Sequence, residues 1–359
     1  MSDKGHLNIE VAPNAFAHGS GIRVLVDGHG GDDSPAMVLD ALALALKSSI
    51  KPDLGALSLG VVGQQDVISP MLMARGIADK VELIPCTDVI GMCDSPAHAL
   101  RRKKDSSIHV GARLVRDGKW DAFVSAGNTG ALMAISKLIL KTLPGIDRPA
   151  IASVLPSENG GCTLLLDSGA NVECNSDHLV QFAIMGSCYM QAAMGIESPK
   201  VGLLNIGSED IKGTDVIKLT SSKLPESGLN FIGNIEGTGL FSNDVDVVVC
   251  DGFVGNVALK AIEGTARFFA AHIREELTSG LVAKTGALLS RKALQRFKDK
   301  VNPGKYNGAP LLGLNGIVVK SHGSADPASF ANAIKVAYLE VGEHLIDRIT
   351  TSVQERLEA

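Results

Sequence analysis

Five stretches of the chain put glycine beside hydrogen-bonding residues where an apolar run ends. They are Asp27-Gly28-His29-Gly30-Gly31-Asp32, Ser125-Ala126-Gly127-Asn128-Thr129-Gly130, Asp167-Ser168-Gly169-Ala170-Asn171, Asn205-Ile206-Gly207-Ser208-Glu209 and Asp251-Gly252-Phe253-Val254-Gly255-Asn256. Glycine lets backbone N–H groups approach a ligand closely, and a helix that starts just beyond favours an anion. One such turn means little, because most strand-to-helix connections need a glycine. Five of them, with asparagine recurring as an uncharged donor and acceptor, are harder to dismiss and point to a bound anion. Gly30, Gly31, Gly127, Thr129, Gly130, Asn171, Asn205, Gly207 and Gly255 are the candidate binding positions. The turn at Gly127–Gly130, entering a helix at Thr129, is the first choice.

The same turns exclude other chemistries. None fits GxGxxG or GxxxxGK[ST], so a nicotinamide cofactor or a P-loop nucleotide has no direct support. There is no GxSxG elbow, and Ser125 has no obvious base nearby in sequence. The six cysteines (Cys86, Cys93, Cys162, Cys174, Cys188, Cys250) are scattered without CxxC spacing, which reads as reduced, buried thiols rather than a zinc site. The strand-ending Asp27, Asp167 and Asp251 suit helix capping or the orientation of a lysine or histidine better than metal binding. We expect no metal and no cofactor.

The elements that must carry these turns are legible from periodicity. Apolar runs at 22–27, 57–62, 81–85, 122–125, 151–155, 163–167, 201–206, 245–250 and 316–319 read as buried strands. Helical period is read over 35–47, 107–117, 129–142, 177–194 and 255–277, then from 327 to about 357. Near-continuous apolar strands joined by helices predict a largely parallel sheet covered on both faces, with the strand carboxyl ends and any site along one edge. The weakest join is around 280–306. Residues 1–20 carry no basic segment leading into an apolar one, so they read as a frayed tail rather than a signal, followed by a single α/β domain from 21 to 359 with a helical protrusion near 278–306. The net charge of −5 argues against a nucleic-acid partner, and no apolar run approaches the ~18 residues of a membrane span.

Six blocks together resemble a known family. SAGNTGALMA (125–134), LDSGAN (166–171), LLNIGSEDIKG (203–213), FIGNIEG (231–237), VVVCDGFVGNVALKAIEG (247–264) and APLLGLNGIVVKSHGSAD (309–326) are similar to those of the bacterial phosphate acyltransferase family, PlsX, in order along the chain. The resemblance implies an enzyme that converts acyl carrier protein thioester and inorganic phosphate to acyl phosphate, for membrane phospholipid synthesis. It implies a cytoplasmic homodimer with a three-layer α/β/α sandwich, isocitrate- or isopropylmalate-dehydrogenase-like and related to phosphotransacetylases. One departure stands out: the family's DAMGGD opening carries His29 in the Met position.

Phosphate is itself a nucleophile, so this chemistry asks for positioning and preorganised donors rather than an activated serine. Asn128 and Asn256 are then candidate donors, Lys212 and Lys260 candidate cations, and His322 a group to protonate the departing thiolate or orient phosphate. A solvated lysine or a structural turn histidine is the ordinary alternative for each. Arg101-Arg102-Lys103-Lys104 could dock an acidic carrier protein, although such runs are commonly just solvated. Over 280–301, Leu281, Val282, Leu288 and Leu289 suit the tip of a helical hairpin touching an anionic membrane. Beyond them a basic amphipathic helix carries Leu294 and Phe297 opposite Arg291, Lys292 and Lys298. The alternative for that apolar face is a subunit contact. The rival functions are a phosphotransacylase using acyl-CoA or another protein-bound thioester, and a non-catalytic carrier-protein or membrane adaptor.

Overall fold

Alternation along the first strand already assigns two buried layers. Val24 and Val26 join one apolar cluster and Leu25 another. The computed structural model describes residues 21–47, 54–300 and 303–357; the tail expected at 1–20 lies outside them. The first part runs β1 (Ile22–Asp27), α1 (Ala36–Ala45), β2 (Leu57–Gly63), α2 (Gln65–Ala74), β3 (Val81–Pro85), α3 (Pro96–Arg102), α4 (Ser107–Arg116), β4 (Ala122–Ser125) and α5 (Thr129–Leu140). The middle runs β5 (Ala150–Pro156), β6 (Cys162–Leu166), α6 (Ser176–Met194), β7 (Lys200–Leu204), α7 (Asp215–Lys223), β8 (Asn230–Ile235) and β9 (Val247–Val249). A protrusion follows, α8 (Gly252–Thr278), α9 (Leu281–Leu289) and α10 (Arg291–Lys300), before β10 (Ala309–Leu312), β11 (Ile317–Lys320), α11 (Pro327–Gly342) and α12 (Leu345–Leu357).

All the strands form one sheet, ordered β3-β2-β1-β4-β11-β10-β5-β6-β9-β7-β8. One face is a continuous core in which α1, α6 and α11 bury Leu39, Phe182 and Phe330. On the other face the core divides. Phe123, Ile108 and Leu132 pack under α4 and α5, while Leu165, Val248 and Leu240 form a separate cluster beneath the start of α8. The three layers expected of an α/β/α sandwich are present.

The expectation that every strand end shares one edge is corrected. Pairing is antiparallel at β11–β10, β10–β5 and β5–β6 and parallel elsewhere. Three successive reversals make β6, β9 and β7 run opposite to β1 and β4. Stagger restores proximity. Lys320, at the end of β11, pairs with Ala309, whereas Leu311 pairs with Ile151, beside Asp167. Leu166, the end of β6, pairs with Ala152 and therefore lies one residue level from the end of β11, about 3.4 Å along the strands and three strand spacings, roughly 14 Å, across them. Opposed strand ends meet near one height.

Candidate functional site

The first edge is built on Asp27. Its buried carboxylate accepts the Ser125 hydroxyl at 2.7 Å and the His29 N–H at 3.0 Å, and the Gly127 N–H in turn donates to Ser125 Oγ at 3.0 Å. A Cβ on Gly30 would lie 2.6 Å from the Gly127 nitrogen, so only glycine lets these two turns touch. Gly31 closes the third side: the next residue, Asp32, donates its N–H to the Gly323 carbonyl. The ends of β1, β4 and β11 thereby form one edge.

At the head of α5 the sequence expectation needs refining. Asn128 caps the helix, its Oδ1 accepting the Ala131 N–H, while Nδ2 donates to the carbonyls of Met92 and Asp94, each at 2.9 Å. Its side chain is occupied in clamping the 91–94 loop over the helix start. The adjacent Thr129 and Gly130 are exposed, and their N–H groups belong to the first helical turn, which has no intrahelical acceptors.

Beneath this edge lies a residue the sequence reading passed over. Lys320 ends β11 opposite Ser125, is 9% exposed, and donates to the Ser321 carbonyl. No carboxylate among the described residues forms an ion pair with it. Burial pushes its pKa down to about 8, against the pull of Asp27 and Asp32 and assisted by Lys260. The signal available was a lysine directly ending the apolar run Ile317–Val319, where a strand residue must be buried.

His322 stands two residues further on. Its Nδ1 accepts the Ser324 N–H at 3.2 Å, which leaves the proton of the neutral ring on Nε2, a donor. Its own N–H is held by Asn307 Oδ1 at 2.9 Å. The surrounding protein lowers the His322 pKa; Glu263 opposes that shift, whereas Lys260 and Lys320 add to it. Lys260 is thus near enough to act on both Lys320 and His322, although it lies two turns into a helix that starts at the opposite edge. Its ammonium pairs with Glu263 at 2.9 Å and is half exposed.

The second edge is organised differently. Buried Asp167 accepts the N–H groups of Ile151, Gly169, Ala170 and Asn171, and the Asn171 side-chain amide at 2.9 Å. Burial raises its pKa and those hydrogen bonds oppose the shift. Asn171 also donates to the Pro149 carbonyl and accepts the Gly252 N–H, so this turn spends its donors internally. Gly255 sits against it so tightly that a Cβ would meet the Asp167 carbonyl oxygen at 1.9 Å. Asn256 is exposed beside Gly169. Asn205 pins its own loop, accepting the Ile206 N–H and donating to the Lys212 carbonyl; Gly207 is buried under that loop and Lys212 is exposed on it. The edges thus divide the candidates: Gly30, Gly31, Gly127–Gly130 and His322 on one, Asn171, Asn205, Gly207, Lys212, Gly255 and Asn256 on the other, with Lys260 between.

Comparison with known proteins agrees with this architecture. The model of the family described as "Fatty acid synthesis protein" matches residues 22–348. Phosphate acyltransferases of Magnetococcus marinus and Legionella pneumophila strain Paris are each 47% identical, over 92% and 93% of this chain and 95% and 97% of their own. The chain belongs to the phosphate acyltransferase family. Among solved structures, the EutD phosphotransacetylase of Staphylococcus aureus superposes with a TM-score of 0.55 at 19% identity, covering 89% of this chain and 94% of that one. A phosphotransacetylase from Streptococcus pyogenes gives 0.56 at 18%, with the same coverage. These two establish the shared fold.

Two surfaces complete the inventory. In the basic run, Lys103 is committed to Asp94 at 2.6 Å and to the Val89 carbonyl, while Arg101, Arg102 and Lys104 are exposed. In the protrusion, α9 packs mainly on α8 and α10, leaving Leu281, Val282, Leu288 and Leu289 between 70% and 89% exposed. No helix among the described residues is long and apolar enough to cross a membrane. Val301, the end of the predicted segment, lies outside the described residues.

Proposed function

We propose that this chain transfers a fatty acyl group from acyl carrier protein to inorganic phosphate, supplying acyl phosphate for phospholipid synthesis. The observation that carries the reading is the first edge, where exposed Thr129 and Gly130 at the head of α5 and the Nε2 donor of His322 share an edge with Lys320, a buried lysine with no ion-pair partner among the described residues. A phosphate oxygen attacks the thioester carbonyl, the tetrahedral oxyanion collapses, and the C–S bond breaks to release the carrier thiolate, which takes up a proton. The residues of this chain hold and orient phosphate through Thr129, Gly130 and Lys260 over the buried ammonium of Lys320. Asn256 and Lys212 supply donors to the acyl carbonyl from the second edge, and His322 orients phosphate or returns the proton to sulfur. Concentrating two reactants in this way, with donors already aligned, is the main contribution such a transfer needs.

The test is direct. Purified protein with long-chain acyl carrier protein and phosphate should give acyl phosphate, trapped with hydroxylamine as the hydroxamate, and no acyl-enzyme should survive denaturation. A labelled acyl-enzyme would overturn direct attack; absence of product would overturn the reading.

The surfaces support three companion proposals. Arg101, Arg102 and Lys104, with Lys103 holding their helix end, dock the acidic carrier. The apolar α8 face, with Val257, Phe268 and Phe269 more than half exposed, pairs with a second copy. The α9 tip inserts into an anionic membrane surface, and changing Leu281, Val282, Leu288 and Leu289 to Ser should release the protein from anionic liposomes.

A further inference from the structure

At the carboxyl ends of β2 and β3 an open groove of about 740 Å³ is lined by Gln64, Gln65, Ser69, Pro70, Pro85 and Thr87, with the Cys86 thiol and Asp66 on its walls. That volume falls in the range of small-molecule sites. Neither wall is an accident of surface roughness. One is the first two turns of α2, and the other is the strand end at Pro85, which pairs with Gly63.

What distinguishes the groove is what it connects. At its inner end, the Gln64 N–H donates to His29 Nε2 at 2.9 Å, and the His29 N–H is bound to Asp27. The inner wall of the groove therefore touches the turn that begins the first edge. At its outer end, both the N–H and the hydroxyl of Thr87 donate to Asp105, at 3.0 and 2.7 Å. Asp105 directly follows the basic run, and it faces Arg113 at 3.8 Å, whose guanidinium also holds the Lys104 carbonyl. Thr87, Asp105 and Arg113 thus tie the outer end of the groove to the backbone of the basic run, and Gln64 ties its inner end to His29 on the first edge.

The lining has a mixed chemistry that excludes several occupants. Two glutamine amides and two hydroxyls alternate with two prolines, and the rim carries Asp66 rather than a cation. Inorganic phosphate would be repelled there, and a long alkyl chain would meet too many polar groups. The thiol is no nucleophile, since burial and the nearby carboxylates of Asp27, Asp105 and Asp88 push the Cys86 pKa up to about 12. The Thr87 hydroxyl is held by Asp105 and the Gln64 amide N–H by the Thr87 carbonyl, so an uncharged, amide-bearing, flexible arm with a branched apolar segment fits these walls through Gln65, Ser69 and the Gln64 amide oxygen, with apolar carbon against Pro70 and Pro85.

We infer that this groove receives the pantetheine arm of the carrier-bound acyl donor and delivers its thioester to the Asp27–Ser125 edge. The inference rests on the carrier-protein reading above and adds the route of the arm. A basic strip alone steers the carrier without distinguishing whether its arm is attached; the groove supplies that distinction.

The experiment compares binding of acyl carrier protein with its pantetheine arm (holo) and without it (apo), by titration calorimetry, to the full chain. Wild-type protein should prefer the holo form by about 10-fold or more, the equivalent of roughly 1.4 kcal/mol. Ser69→Trp, filling the groove from α2, should abolish the preference while leaving apo binding unchanged. Pro85→Trp, on the opposite wall and outside any helix, should do the same, and an unchanged melting temperature in either variant shows that the fold is retained. Arg101→Glu with Arg102→Glu should weaken both forms equally. A wild type that binds both forms equally, or a folded Trp variant that keeps the preference, overturns the arm route. Failure of wild type to bind either form, together with no acyl phosphate in the trapping assay, overturns the carrier-protein reading instead.

Discussion

The turns after β1 and β6 start from the same short sequence idea, an aspartate ending an apolar strand and a glycine two or three residues on, and they end as opposite devices. Asp167 gathers four backbone N–H groups and a side-chain amide onto one buried carboxylate. Nothing is left there for a ligand, and the turn is a lock that fixes Gly255 and the start of α8 against it. Asp27 takes only one backbone N–H of its own turn and spends its other oxygen on Ser125. The donors at the neighbouring head of α5 stay exposed, and the buried charge of Lys320 lies close by. In the scheme proposed above, the first edge serves as the anion site because Asp27 leaves those neighbouring donors unspent, whereas Asp167 consumes the donors of its own turn.

That contrast can be broken at its strongest point first. Lys320→Met should lower kcat/KM for phosphate by ~10²–10³, the usual cost of a preorganised donor or charge, with little change in melting temperature. Steady-state kinetics with phosphate varied would check it. Because the ammonium titrates near pH 8, apparent phosphate affinity in the wild type should also fall as pH rises through about 8; Lys320→Arg should keep affinity above that pH.

Asp167→Asn should do the reverse. Losing one acceptor oxygen strands N–H groups that the carboxylate satisfied, at a cost of about 3 kcal/mol measured by denaturant unfolding. The KM for phosphate should stay within about two-fold if the protein is assayed below its unfolding transition, since the Asp167 turn binds no substrate anion in this scheme.

Asn128 sits between the two classes. Asn128→Ala removes a helix cap, worth ~1 kcal/mol, and frees the 91–94 loop. A fall in kcat with a rise in the mobility of that loop by hydrogen exchange is expected. Loss of kcat with full protection of the loop would instead mean that the amide itself touches substrate.

The smallest effect belongs to His29, whose ring nitrogen accepts the Gln64 N–H and therefore must be neutral. Burial lowers its pKa below the ordinary histidine value, against Asp27 and Asp66. A depressed folded-state pKa means the unfolded chain takes up the proton first, so stability is lost as pH falls below about 6.5 toward the folded value. His29→Met, the residue usual in the family, should remove that acid-side loss by thermal melting at two pH values, with a shift of only a few degrees.

Much of this was legible in the chain. The β1, β3 and β4 runs and the head of α5 stand where apolar period and glycine placed them. The strand at Asn230–Ile235 was not read as one, because Gly233 at φ +102° and a register shift against Val201 and Gly202 break its pattern. The strand at Ala309–Leu312 hides behind Pro310. The final long helix divides after Gly342, where His344 takes a positive φ that no periodicity signals. The reversed half of the sheet was invisible for a deeper reason: buried parallel and antiparallel strands share one apolar signature, and direction is set by pairing across β10 and β5. Of the site, the glycine turns and His322 could be named from sequence. Whether Asn128 and Asn171 offer their amides outward or spend them on nearby carbonyls depends on contacts with residues far along the chain, and Lys320 looks like any strand-ending lysine until its burial is known.

The most direct measurement is the position of phosphate in crystals of this chain grown or soaked with it. Density against the N–H groups of Thr129 and Gly130, within reach of His322 and Lys260, is the expected result. Phosphate seated instead on the Gly169–Asn171 turn, with its donors swung away from Asp167, would contradict the assignment of the first edge as the anion site.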